Sequence, residues 1–175
     1  MDKVETLAKE VDNLTNTFMT DVIARFLLRH YYRYEHRLDT HSELVRDWAI
    51  HGPLGKWAAE LLGVESVRLY NAEKIYHAGS PCQPAWHRDT VAAPFLPHRK
   101  SITFNIYLDG ISGDSDALIF IKKSHTDLTR PPTSVDKETN NELSELTIRV
   151  GDVLAHDPRI YHTPSGKGCW HRRSL

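Results

Sequence analysis

The chain has 175 residues, of which 40% are hydrophobic and 26% charged, the proportions of a single globular domain. Its formal net charge of −1 provides no bulk attraction to nucleic acid or to an anionic membrane, so we expect neither partner. Two cysteines, Cys82 and Cys169, are too few for a disulfide framework, and the charged N-terminus lacks the apolar core of a signal peptide. No apolar run reaches the length of a transmembrane helix, so the sequence predicts a soluble, cytoplasmic protein.

Residues 1–63 are predicted to be helical. Ser42 is a candidate N-cap, Pro53 can begin the last helix of this part, and Gly63 can end it. The aromatic run 31–34 is assigned to helix surface and core as well. Apolar residues recur at spacings of three and four along the first predicted helix, namely Val4, Leu7, Ala8, Val11, Leu14 and Phe18.

Residues 64–175 change to the period of strands. Residues 66–77 are predicted to form one or two strands. Further strands are predicted at 101–108, 117–121, 145–150, 153–156 and 159–163, and the polar stretch 126–141 is predicted to be a loop. In the strand 101–108, Ile102, Phe104, Ile106 and Leu108 share one face, whereas Thr103 and Asn105 lie on the other. The order indicates one α+β domain over 1–175 with a mainly β core. We expect the strands to close as a double-stranded β-helix, a cupin-like jelly roll, with the N-terminal helices packed on one sheet.

A His-x-Asp pair, His87 and Asp89, is followed far along the chain by His162. Residues two apart on a strand point to the same side, so both side chains of the pair can reach one metal ion while Arg88 points away. Two histidines and one carboxylate on one face leave open coordination positions and are typical of non-heme Fe(II) sites. An isolated His-x-Asp pair is common by chance, and His156 is an alternative to His162 as the third ligand.

Four segments resemble, in order, the phytanoyl-CoA dioxygenase family of Fe(II)/2-oxoglutarate-dependent oxygenases. They are Trp86–Asp89; Tyr107–Gly110 leading to Asp116–Leu118 and Ser124–His125; Gly151–Leu154 through Tyr161–His162; and Arg172–Leu175. The resemblance implies a double-stranded β-helix with Fe(II) on His87, Asp89 and His162. It also implies that Arg173, eleven residues after His162, binds the far carboxylate of 2-oxoglutarate, since a guanidinium pairs bidentately with a carboxylate.

Further residues are assigned to cosubstrate and substrate. If the apolar face of strand 101–108 packs on helices, Thr103 and Asn105 look into the barrel, where 2-oxoglutarate would lie. Gln83 and Trp86, beside the metal pair, are candidate substrate contacts. His125 is expected to stabilise a turn.

The predicted function is an oxygenase that uses Fe(II), 2-oxoglutarate and O2 to hydroxylate a small molecule, with decarboxylation of 2-oxoglutarate to succinate. Halogenases related to the family carry a small residue in place of the carboxylate, so Asp89 favours hydroxylation; desaturation and ring chemistry stay open.

Three features depart from the family pattern: Asp116 replaces a usual glycine, Pro164 replaces a frequent serine, and the chain stops at Leu175, where the family continues into a further strand. The sequence is then either truncated or that of a minimal barrel. These features motivate one alternative, an inactive jelly-roll binding protein; a second alternative is a cupin-like metalloenzyme that does not use 2-oxoglutarate. The intact Arg173 argues against the second.

Overall fold

The computed structural model describes residues 3–16, 32–35, 37–77, 86–91, 100–110, 118–126, 143–145, 147–164 and 172–174; in 15–16, 32–35, 74–77, 143–145, 164 and 172–174 it describes the backbone alone. The helices are α1 (Lys3–Asn16), α2 (Leu38–His41), α3 (Glu43–His51) and α4 (Pro53–Leu62). The strands are β1 (Tyr32–Glu35), β2 (Lys74–His77), β3 (Thr103–Ile106), β4 (Leu118–Ile121), β5 (Leu143–Glu145), β6 (Val153–His156), β7 (His162–Pro164) and β8 (Arg172–Ser174). No helix among the described residues is both long and apolar enough to cross a bilayer.

The helix boundaries follow the capping residues that the sequence predicts. The Ser42 hydroxyl accepts a hydrogen bond from the Val45 backbone N–H at 3.3 Å, which satisfies a free donor at the start of α3. Pro53 occupies the first turn of α4. Gly63 ends α4 in the left-handed region at φ 61°, a conformation that glycine adopts without steric strain because it has no Cβ.

The main core lies between the helices and the apolar face of β3. The predicted stripe of α1 buries Leu7, Ala8 and Val11, while Val4 and Leu14 pack beside them; Phe18 lies outside the described residues. The buried members of this cluster are Leu7, Ala8, Val11, Leu38, Val45, Ile106 and Leu108. Each fully buried aliphatic side chain contributes about 1.5–3 kcal/mol through removal from water. This packing turns the polar face of β3 away from the helices.

The described strands form three antiparallel sheets. Their strand orders are β1-β2-β8, β3-β6 and β5-β4-β7. Thr103 pairs with His156 in the second sheet, and Phe120 pairs with His162 in the third. The closure of these sheets into a jelly roll stays a prediction.

Within the described part of residues 1–63, the prediction of helix is wrong for one segment. Tyr32–Glu35, part of the aromatic run assigned to a helix, is strand β1 and pairs antiparallel with β2. Aromatic residues favour strands, and here the partner strand lies some forty positions along the chain, outside any local sequence window. Of residues 66–77, predicted to form one or two strands, only Lys74–His77 is a strand.

Candidate metal centre

His87 and His162 face each other across a single antiparallel bridge. The His87 N–H donates to the His162 carbonyl oxygen at 3.1 Å, and the His162 N–H donates to the His87 carbonyl oxygen at 3.0 Å. The ring centroids lie 4.4 Å apart. Directly opposed residues on paired strands present their side chains to the same face, so this bridge holds the two imidazoles together.

Asp89 completes the group, although not from a strand as the alternation predicts. The chain leaves the bridge after His87, and Asp89 begins a short 3-10 turn that ends at Val91. Its Oδ1 nevertheless lies 3.4 Å from the Nε2 atom of His162. The candidate ligand atoms of His87, Asp89 and His162 all lie within 4.8 Å of one another, so these three residues could hold a metal ion.

The protonation of His162 suits a metal ligand. Its Nδ1 lies 3.1 Å from the carbonyl oxygen of Ile160, which can only accept, so Nδ1 carries the hydrogen and the lone pair belongs to Nε2. Burial lowers the pKa of His162 to about 4, against the opposing attraction of Asp89, and the ring is neutral at pH 7. A lone pair therefore faces a carboxylate oxygen with no proton between them. A cation fits such a pair of acceptors.

The polar face of β3 contacts this group. The Thr103 hydroxyl donates to Oδ2 of Asp89 at 2.8 Å, which leaves Oδ1 towards His162. Asn105 lies beside His156, with Nδ2 3.2 Å from Nε2 of that ring. The structure thus places Thr103 and Asn105 at the site, as the strand pattern predicts. Their assignment to 2-oxoglutarate stays a prediction.

His156 is the alternative third ligand, and its ring is already engaged. Its Nδ1 lies 3.3 Å from the carbonyl oxygen of Asp157 and therefore donates, so Nε2 accepts from Asn105. Burial lowers the pKa of His156, which favours this neutral form. Nε2 also lies 3.9 Å from Oδ2 of Asp89. The lone pair of His156 is thus committed to an amide, whereas that of His162 is not.

The turn between His156 and His162 is fixed by a local ion pair. The Asp157 carboxylate accepts from the backbone N–H of Arg159 at 2.8 Å and from Nε of Arg159, also at 2.8 Å. The Ile160 N–H donates to the Asp157 carbonyl oxygen at 3.0 Å. This closed turn brings the chain back so that the ring centroids of His156 and His162 lie 5.0 Å apart.

The other residues assigned from sequence are placed less fully. Trp86 is half-buried next to His87, and Gln83 lies outside the described residues. Arg173 lies in β8, with its Cα opposite that of Tyr76 in β2. His125 lies in the short 3-10 turn Ser124–Thr126, and its role in stabilising that turn stays a prediction.

The sequence profile of the phytanoyl-CoA dioxygenase family matches residues 2–166. The chain belongs to this family. Its members are Fe(II)/2-oxoglutarate-dependent oxygenases, in keeping with the donor set of two histidines and a carboxylate. Among curated proteins, none matches the sequence.

Three solved structures share the fold of this family member. EctD from S. alaskensis, with 2-oxoglutarate and 5-hydroxyectoine, has a TM-score of 0.73 at 19% identity over 99% of this chain and 66% of its own. HygX from Streptomyces hygroscopicus, with nickel and 2-oxoglutarate bound, has a TM-score of 0.71 at 15% identity over 98% and 75%. The non-heme alpha ketoglutarate dependent carbocyclase SnoK from nogalamycin biosynthesis has a TM-score of 0.67 at 20% identity over 82% of this chain. This chain spans only 60% of the length of SnoK.

Sequence reasoning missed the surroundings of the three candidate ligands. Arg88 is predicted to point away from the metal, but its partner is not predictable from local spacing. The guanidinium carbon lies 3.8 Å from the centroid of the Tyr161 ring, and Nη2 donates to the Ser124 carbonyl oxygen at 2.9 Å. Arg88 lies opposite Tyr161 because the two histidine segments pair. This pairing is a tertiary property, so no sequence signal could have revealed the contact.

Proposed function

We propose that this family member is an Fe(II)- and 2-oxoglutarate-dependent oxygenase that hydroxylates a small molecule. The observation that carries the proposal is the lone pair of neutral His162, which faces the Asp89 carboxylate at 3.4 Å beside His87. His87, Asp89 and His162 are the proposed ligands. His162 is preferred to His156 because Asn105 already occupies the lone pair of His156.

The residues around the ligands have separate tasks. Thr103 holds one oxygen of Asp89 so that the other faces the metal position. Asn105 contacts His156, and it is also a proposed contact of 2-oxoglutarate. Arg173 is the proposed partner of the far carboxylate of 2-oxoglutarate, because its planar fork suits that group. Gln83 and Trp86 remain candidate substrate contacts.

The bound Fe(II) and 2-oxoglutarate would supply the oxidation chemistry, with O2 consumed and succinate and CO2 released. The chain itself binds the cosubstrate, orients it and keeps the site apolar on one side through Phe120, whose ring centroid lies 5.7 Å from that of His162. Since Asp89 fills the carboxylate position, hydroxylation is favoured over halogenation.

Anaerobic addition of Fe(II) and then 2-oxoglutarate tests the proposal. We expect a visible charge-transfer band from the chelate, followed by succinate formation when O2 and substrate are added. Iron binding without the band would indicate a metalloenzyme that does not use 2-oxoglutarate. A band without succinate, across a broad substrate panel, would indicate a binding protein.

Arg173→Ala tests the carboxylate contact, with Arg172→Ala as the matched control. These residues are adjacent in β8, and adjacent positions of a strand belong to opposite faces of a sheet. We expect Arg173→Ala to raise the 2-oxoglutarate concentration needed for the band, and Arg172→Ala to leave it unchanged. If both variants raised the required 2-oxoglutarate concentration equally, Arg173 would not be the specific partner of the far carboxylate.

A further inference from the structure

We propose that Arg88 and Tyr161 form a brace that holds the two histidine segments in register from the side opposite the metal position. The bridge between His87 and His162 is antiparallel, so the next pair of residues along it is Arg88 and Tyr161. Alternation sends His87 and His162 to one side and this pair to the other. The inference rests on the proposed function only for its metal-binding readout.

The contact is a buried cation over an aromatic face. The guanidinium carbon of Arg88 lies 3.8 Å from the Tyr161 ring centroid, well inside the range of a cation–π contact. Arg88 is 7% exposed and Tyr161 is also 7% exposed. A buried charge is retained only where its surroundings compensate for lost hydration, and such contacts strengthen on desolvation.

Ser124 joins the brace to a third segment, just after β4. Its carbonyl oxygen accepts from Nη2 of Arg88 at 2.9 Å, and its hydroxyl accepts from the Tyr161 N–H at 2.8 Å. The Ile121 N–H donates to the Tyr161 carbonyl oxygen at 3.0 Å. Both members of the pair are therefore anchored to the chain that follows β4. This gives the Ser124–His125 segment, part of the resemblance to the family, a physical role.

The consequence for the site is geometric. The bridge between the two histidines is isolated, with two hydrogen bonds and no strand pairing on the His87 side among the described residues. An isolated pair of backbone hydrogen bonds is marginally stable in water, so buried side-chain contacts beside it reduce local opening. On one face the restraint is the proposed metal; on the other it is Arg88 and Tyr161. Arg88 is thus a positioning residue that fixes the distance between His87 and His162 before metal binds.

Hydrogen exchange of the His87 and His162 amides in metal-free protein tests the brace without depending on the activity. Tyr161→Leu and Arg88→Met remove it, whereas Tyr161→Phe keeps the aromatic face. We expect exchange at both amides to quicken by roughly tenfold in the first two variants, the size expected from a lost buried cation–π contact, and to change little in Tyr161→Phe. In the double variant Arg88→Met/Tyr161→Leu, the two amides should exchange only slightly faster than in either single variant, because the two residues act as one unit. Amides of the β3–β6 pair report global opening and should quicken less.

Co(II) affinity, measured by titration calorimetry, provides the second readout. Loss of the brace should weaken binding by about 10- to 100-fold, as for other residues that orient metal ligands. If Arg88 acted only as a nearby positive charge, Arg88→Met would tighten binding instead, and the proposal would fail. It would also fail if Tyr161→Leu and Tyr161→Phe behaved alike, a comparison that holds even if Arg88→Met does not fold. A wild-type protein that binds Co(II) but gives no 2-oxoglutarate band contradicts the proposed function and leaves the exchange result to decide the brace.

Discussion

Thr103 donates its hydroxyl to one oxygen of Asp89, at 2.8 Å, while the other oxygen of Asp89 lies 3.4 Å from His162. The two carboxylate oxygens therefore have different partners: one accepts a hydrogen bond from Thr103, and the other lies towards His162. A carboxylate fixed in this way presents a single oxygen to a metal ion, and the hydroxyl replaces the water that would otherwise solvate the second.

Thr103→Val removes this hydroxyl at nearly constant volume and should weaken metal affinity by about 10- to 100-fold. Thr103→Ser, which keeps the donor, should stay close to wild type. Calorimetric titration with Co(II) measures both. Equal affinities for the two variants would show that Thr103 does not orient Asp89.

His162 and His156 are distinguished by the same titration. His162→Gln removes a proposed ligand and should weaken metal binding by more than about 100-fold, beyond the usual range for residues outside the ligand set. His156→Gln keeps an acceptor for Asn105 and should cost about tenfold at most. The reverse order would make His156 the third ligand.

The stability of the metal-free protein should depend on pH through His162. The folded-state pKa of about 4 lies below the value near 6.5 of an unfolded histidine. Between these values the unfolded chain binds the proton that the folded chain refuses. The free energy of unfolding is therefore unaffected by His162 protonation above about pH 6.5, and it decreases progressively as the pH falls towards 4. Denaturant unfolding across this pH range checks the prediction. The free energy of unfolding should change less steeply with pH in His162→Gln than in the wild type. An identical slope in that variant would assign the effect to other groups.

Two glycines of the helical part should respond in opposite directions to alanine. Gly63 has φ 61°, so Gly63→Ala should lower the free energy of unfolding by roughly 1 kcal/mol. Gly55 lies inside α4, where a Cβ would meet only the Ile50 carbonyl oxygen at 3.9 Å. Gly55→Ala should therefore raise the free energy of unfolding by roughly 0.5–1 kcal/mol. Urea denaturation measures both changes, and neither variant should alter Co(II) affinity. A destabilised Gly55→Ala would contradict the open space beside that residue.

The features that the sequence determined are local ones. Ser42 caps its helix and Gly63 ends the next, because hydroxyl geometry and backbone freedom are properties of the residue itself. The alternation of strand 101–108 correctly separates Ile106 and Leu108, in the core, from Thr103 and Asn105, at the site. The grouping of His87, Asp89 and His162 was also readable, since ligand type and order along the chain are matched to a family pattern.

Tertiary structure decided where partners come from distant segments. Tyr32–Glu35 is a strand because β2 lies beside it, and no local propensity names that neighbour. Asp89 reaches the site from a 3-10 turn instead of from a strand, since only His87 pairs with His162. The free lone pair of His162, the occupied one of His156 and the stacking of Arg88 on Tyr161 depend on hydrogen bonds and contacts between segments. Spacing along the chain can nominate ligands, but pairing between strands determines which lone pairs meet.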